Sequence, residues 1–430
     1  MWRCRRAACP TNRSTPSTRR GRPWWLIASR QERFAIRVVE RIPGRSRTAR
    51  VTVVEGTSHG SDILSPHSNL EAEIADWFAA KLGGIAAPSL WGGIEPGGHR
   101  VGFRRVTLRG SGHQILVDFW YPAGGTGPAM SIADYLGLSD DIRGSVPGSL
   151  SATLASVITG DSAGLDPGLT TRTLAAQLAA VREAPFAPGR FPLVLWTPRY
   201  GTTVAQSVLS EMLASHGLVV GFARPATSAP LPFELPTPSA KEAELEARVA
   251  DMQVAFRHLA TMPSVDARMV GVVAWSYTGE MATAFQLREP AVALVAGLST
   301  NLLGNWVFQS PEAALTLDRT RLGSAYAVIT QRPDVPPALS RVSGPKYFVE
   351  MPGLAHGSFN AIEGYWPSLL GITKVQPFSA SGPRGIRGYH AIGAMLLRLL
   401  RHHVVAGSKE RLTDLVLTSG LEPGTVVVAR

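Results

Sequence analysis

A serine placed between a buried strand and a helix is well set for nucleophilic chemistry, and one such serine stands out in this chain. Residues Val270–Met281 read VGVVAWSYTGEM. The apolar run ending at Trp275 has the pattern of a strand buried on both faces, and helix-forming residues begin at Tyr277. Ser276 lies at the junction. A tight strand-to-helix turn would hold its hydroxyl above the sheet edge, and the helix N-terminus would aim free N–H groups at a developing oxyanion. The usual spacing for such a turn is G-x-S-x-G. Here Ala274 and Thr278 stand at the two glycine positions, and Gly279 comes one place late. Alanine is a mild departure, whereas a β-branched threonine is harder to place in a crowded turn. The competing reading is a serine that only caps a helix.

A serine hydroxyl needs a base to become a nucleophile. Pro345–Phe359 (PKYFVEMPGLAHGSF) reads as a strand, a Pro-Gly turn and then His356 on a loop. His390, His402 and His403 fall on or at the end of the final helical segment and read as surface residues. His216, at a helix C-terminus, suits the helix dipole. Asp118 and Asp266 read as strand-edge residues.

The elements that would position these groups follow from hydropathy. Val101–Leu108 and Gln114–Tyr121 alternate apolar and polar residues around Gly110-Ser111-Gly112, which predicts a β-hairpin. A Gly- and Ala-rich connection covers 123–190, with a helix expected over Thr173–Glu183. From Phe191 strands and helices alternate: strands at Phe191–Trp196, Leu218–Ala223, Met269–Trp275, Ala291–Ala296, Ala325–Thr330 and Tyr347–Met351, with helices at Val204–Ser215, Ala240–Thr261, Tyr277–Leu287 and Tyr389–Val404. This grammar predicts an α/β fold, a mainly parallel central sheet with helices on both faces. The opening hairpin would supply antiparallel edge strands. A further helix is expected over Asn69–Leu82.

The formal charge of +11 resembles that of a nucleic-acid binder, but fourteen Arg against two Glu lie in residues 1–50, so the rest is close to neutral. Residues 1–55 therefore read as a disordered Arg-rich tail and 56–97 as an extension of uncertain structure, ahead of a domain over 98–430 that carries the 123–190 insertion. Three roles fit the tail: a solvated extension, an arm for nucleic acid or an anionic membrane, or a targeting segment. The folded part is not expected to bind nucleic acid. The only cysteines, Cys4 and Cys9, lie in the tail, which excludes thiolate catalysis and cysteine-based zinc sites elsewhere. No stretch has eighteen apolar residues without charge, so no transmembrane helix is expected. With no clear signal peptide, the cytoplasm is the default compartment.

Several segments, in order, resemble the α/β-hydrolase superfamily, near dienelactone hydrolases and bacterial relatives of platelet-activating-factor acetylhydrolase. They are Val101–Arg104, Val117–Ala123 (VDFWYPA), Met130–Leu136, Phe191–Trp196, Leu213–Val220 (LASHGLVV), Val265–Ser276 and Ala355–Phe359 (AHGSF). The resemblance implies Ser276 as nucleophile and His356 as general base, with backbone N–H groups of Tyr277 and Tyr200 as oxyanion donors. Arg199 departs from the glycine that relatives carry before Tyr200. It reads as a solvated loop arginine or as a binder of an anionic group. Relatives place an aspartate after the strand that follows the nucleophile helix, but here that position reads Gly297-Leu298-Ser299-Thr300. The next strand end offers Asp334, whose other reading is a turn residue. Glu350 and Glu363 are outside candidates. The resemblance implies cleavage of a small-molecule carboxylic ester through an acyl-enzyme, without metal or organic cofactor. A catalytically silent hydrolase fold used for binding is the alternative.

Overall fold

The structure, a computed structural model, describes residues 24–31, 49–57, 89–110, 112–137, 167–198, 203–226, 234–300, 302, 322–332, 339, 342–370, 372, 383–408, 412 and 426–429. The chain divides into two units, Met1–Gly84 and Ile85–Arg430. In the first, β1 (Trp24–Ser29) pairs in parallel with β2 (Ala49–Val54). The segment read as a tail thus holds two strands. Trp24–Ala28 and Val51–Val54 are short β-prone runs that the surrounding arginines masked in a composition-based reading. The helix expected over Asn69–Leu82 lies outside the described residues.

The second unit is built on an eleven-stranded sheet. Its hairpin, β3 (Arg100–Arg109) and β4 (Gln114–Ala123), pairs antiparallel as the alternation predicts. It is not an edge, however. β4 also pairs with β8 (Val219–Pro225), and β3 with β6 (Gln177–Arg182). The sheet continues to β5 (Ala129–Ser131), which leads into the short helix α1 (Ile132–Gly137). The 123–190 connection therefore extends the sheet. Its helix, α2, spans Pro167–Ala175, and the second half of the expected helix is β6 instead. Gln177, Ala179, Ala180 and Arg182 are good helix formers, but pairing with β3 and β5 overrides that weak local preference.

From β7 (Phe191–Trp196) onward the sheet is parallel through β9 (Val265–Trp275), β10 (Val292–Leu298), β11 (Ala325–Thr330) and β12 (Lys346–Glu350). A terminal strand, β13 (Val426–Ala429), adds antiparallel to β12 and was not legible as part of the series. The strands read as apolar runs because both faces are covered. Val194, Trp196, Val273 and Trp275 face one core, whereas Leu193, Leu195, Val272 and Ala274 face the other. Helices α3 (Thr203–Ser215), the short α6 (Trp366–Leu369) and α7 (Pro383–His403) contribute to the first core, and α4 (Pro238–Ala260) and α5 (Gly279–Arg288) to the second. Fully buried Leu396, Leu399 and Leu400 of α7 each contribute about 2 kcal/mol of apolar burial.

A buried carboxylate ties the insertion to this frame. Glu211 on α3 accepts hydrogen bonds from Tyr135 Oη (2.6 Å), Trp91 Nε1 (3.0 Å) and the backbone N–H groups of Ala179 (2.7 Å) and Ala180 (3.1 Å). Burial pushes this carboxyl up, while the four donors pull it down. Asp118 is also fully buried rather than at a strand edge. It accepts from Arg105 Nη2 (2.7 Å) and from the Thr203 hydroxyl at the start of α3. Among the described residues, no helix is long and apolar enough to cross a membrane.

Candidate active site

Parallel strands end on the same side of a sheet, and four neighbours, β9 to β12, bring their carboxyl ends together here. Ser276 directly follows β9. It has φ +61°, a left-handed conformation that costs a non-glycine residue about 1 kcal/mol or more. The 3-10 turn Ser276–Thr278 then leads into α5, so the backbone N–H of Tyr277 lies at a helix start.

The two motif departures fit without strain. Ala274 is fully buried within β9, and Thr278 adopts φ −86°, which a β-branched residue accepts readily. Thr278 is also fully buried. Its hydroxyl donates to Trp275 O (2.9 Å) and accepts from Trp275 N–H (3.3 Å). Thr197, at the end of β7, meets the same hydroxyl. The threonine thus staples the turn where a glycine would only leave room.

His356 opens a 3-10 turn, His356–Phe359, on the loop after β12. Ser358 Oγ accepts from Ala355 N–H (3.1 Å). A π-helix, Ala361–Tyr365, packs directly behind. Gly364 makes that contact feasible, because a Cβ there would lie 2.4 Å from Gly357 O. The imidazole stacks on the Trp275 indole, with centroids 5.3 Å apart and planes at 19°. His356 Nε2 is 2.8 Å from Ser276 Oγ. The structure therefore brings together a strand-end hydroxyl and an imidazole that are eighty residues apart in the chain.

On its other side, His356 Nδ1 lies 2.7 Å from Ser299 Oγ. Ser299 follows β10 with φ +47°, and its hydroxyl donates to Gln331 Oε1 (2.7 Å) just past β11. Sequence alone does not single out this pair, because neither residue is a carboxylate. The usable signal was positional: Ser299 is the first polar residue after β10. Asp334, Arg199 and Tyr200 lie outside the described residues. Glu350 closes β12 and Glu363 lies in the π-helix. Among the described residues, no group of three or more His, Cys, Asp or Glu side chains is arranged to hold a metal ion.

The remaining histidines are not all surface groups. His390 Nε2 is 2.8 Å from Tyr365 Oη and His403 Nε2 is 3.0 Å from Tyr347 Oη. Burial lowers both imidazoles, His403 to about 4 with help from neighbouring His402. His216 accepts at Nδ1 from Arg401 (3.0 Å), and burial together with that guanidinium lowers it as well. Its role is a tertiary contact rather than a charge on a helix end.

Comparison with protein-family models gives no match, and comparison with curated proteins gives none either. Among solved structures, a ferulic acid esterase from Streptomyces cinnamoneus matches with a TM-score of 0.51 at 17% identity, over 74% of this chain and 94% of that one. With helices on both faces of a mainly parallel sheet that also includes an antiparallel hairpin, the chain has an α/β fold that it shares with this esterase.

Proposed function

We propose that the chain is a serine hydrolase that cleaves a small-molecule carboxylic ester. The observation that carries this is the 2.8 Å contact between His356 Nε2 and Ser276 Oγ, made at a left-handed strand-to-helix turn. His356 takes the hydroxyl proton as Ser276 attacks the ester carbonyl. The same imidazole then protonates the departing alkoxide, and water releases the acyl group with His356 again as base. The backbone N–H of Tyr277, at the start of the helical turn, and that of Tyr200 are the proposed oxyanion donors. Such a donor is often worth about 3 kcal/mol. The acid that the resemblance offers for the triad is Asp334. The likeness in fold to a ferulic acid esterase agrees with ester chemistry. The sequence resemblance to dienelactone hydrolases and acetylhydrolases supports a small ester as the substrate.

A fluorophosphonate probe tests the reading. Labelling of the wild-type chain that disappears in Ser276→Ala, with turnover of short p-nitrophenyl esters, is the expected result. An unlabelled, inactive wild-type chain would favour a silent fold that only binds.

A further inference from the structure

We infer that Ser299 and Gln331 form a hydroxyl–amide relay that fixes the tautomer of His356. This deepens the Ser276–His356 reading and rests on it. A carbonyl oxygen accepts and cannot donate. Gln331 presents Oε1, 2.7 Å away, so the single Ser299 proton points toward the glutamine. Thr330 Oγ1 also approaches that oxygen, at 3.4 Å. With its proton committed, the Ser299 oxygen offers only lone pairs to His356 Nδ1, 2.7 Å away. The neutral imidazole must then carry its proton on Nδ1. That leaves the Nε2 lone pair facing Ser276 Oγ at 2.8 Å, the arrangement a general base requires.

The backbone supports a role for the side chain. Ser299 holds φ +47°, where a non-glycine residue is strained. Glycine would relieve that strain, so the backbone conformation gives no reason for a serine there. The hydroxyl sits between strand ends, β10 for Ser299 and β11 for Gln331, whose backbones are locked in register. Ser299 N–H donates to Ile329 O (2.7 Å), which fixes the spacing of the two side chains. Ser299 is a positioning residue: it acts through His356.

Ser299→Gly is the main test, because it removes the hydroxyl while easing the backbone. The readouts are the nitrogen chemical shifts of His356, assigned by their loss in His356→Gln, and the rates of p-nitrophenyl ester turnover and fluorophosphonate labelling. In the wild-type chain above the histidine titration, the shifts should report a proton on Nδ1. In Ser299→Gly and in Gln331→Leu they should move toward the Nε2–H form or a mixture. For both variants kcat should fall about 10- to 100-fold, with KM within about twofold. Ser299→Asp, which suits left-handed backbone and offers Nδ1 an acceptor, should restore the Nδ1–H signature and move the pH–rate limb upward. The inference is overturned if Ser299→Gly and Gln331→Leu leave the His356 tautomer unchanged. It is equally overturned if Asp334→Asn moves the tautomer and they do not. The tautomer readout needs no activity, so it separates failure here from failure of the hydrolase reading, which Ser276→Ala tests alone.

Discussion

Thr278 shows how a motif can change its residues and keep its geometry. The second glycine of G-x-S-x-G makes room, whereas Thr278 makes bonds, closing the turn on Trp275 and meeting Thr197 of the neighbouring strand. Thr278→Val keeps the shape and removes the oxygen. It leaves the Thr197 hydroxyl and the Trp275 N–H without that partner in a buried site. The expected loss is about 1–2 kcal/mol, read from the denaturant midpoint. Labelling of Ser276 should slow as well, because the same oxygen holds the turn. Undiminished stability would show that the staple is ornamental. Ser276 and His356 were legible as candidates because strand-end and loop positions leave a pattern of apolar runs and turn residues. Ser299 and the role of Thr278 were not legible. Their contacts depend on φ angles and on strands distant in the chain, which hydropathy does not encode.

At the scale of elements, the His356 turn is held from behind by the π-helix, with backbone against backbone at Gly364. Gly364→Ala would drive a methyl group into Gly357 O, and neither side of that contact is a flexible side chain. The turn must shift, and a displacement near 1 Å is enough to cost on the order of 10²-fold in rate. Ester turnover should therefore drop steeply while the circular dichroism spectrum stays native. A variant as active as wild type would mean that the loop relaxes without moving the imidazole. Glu211 poses the complementary case on α3. Glu211→Ala removes the acceptor of the Tyr135 hydroxyl, the Trp91 indole and two backbone N–H groups, so a stability loss of about 3 kcal/mol is expected. Thermal melts at neutral pH measure it, and an unchanged melt would refute it. Strands buried on both faces were legible as continuous apolar runs. β6 was not, because its residues favour a helix and only its neighbours β3 and β5 make it a strand.

Across the whole molecule, α7 closes one face of the sheet, and three half-buried imidazoles sit on or against it. His390 and His403 belong to the helix, and His216 meets Arg401 from the end of α3. All three are lowered from the ordinary histidine value, first of all by burial. A depressed imidazole disfavours protonation in the folded chain relative to the unfolded one. Its contribution to stability is therefore full above about pH 6.5 and is lost as the pH falls, for His403 down to about 4. Protonated His216 would also face the Arg401 guanidinium. Asp266 works in another window: hydrogen bonds from Arg268 hold it at about 2, so its contribution is lost only below the usual Asp value of 3.8. Between pH 6.5 and 4.5 the histidines should thus carry an acid-induced fall in Tm that Asp266 does not share. A His216→Gln/His390→Gln/His403→Gln variant should show a flatter Tm profile over that interval, with the remaining difference confined to lower pH. Parallel profiles for the two chains would mean that the packing of α7 does not sense these protons and that acid lability enters elsewhere.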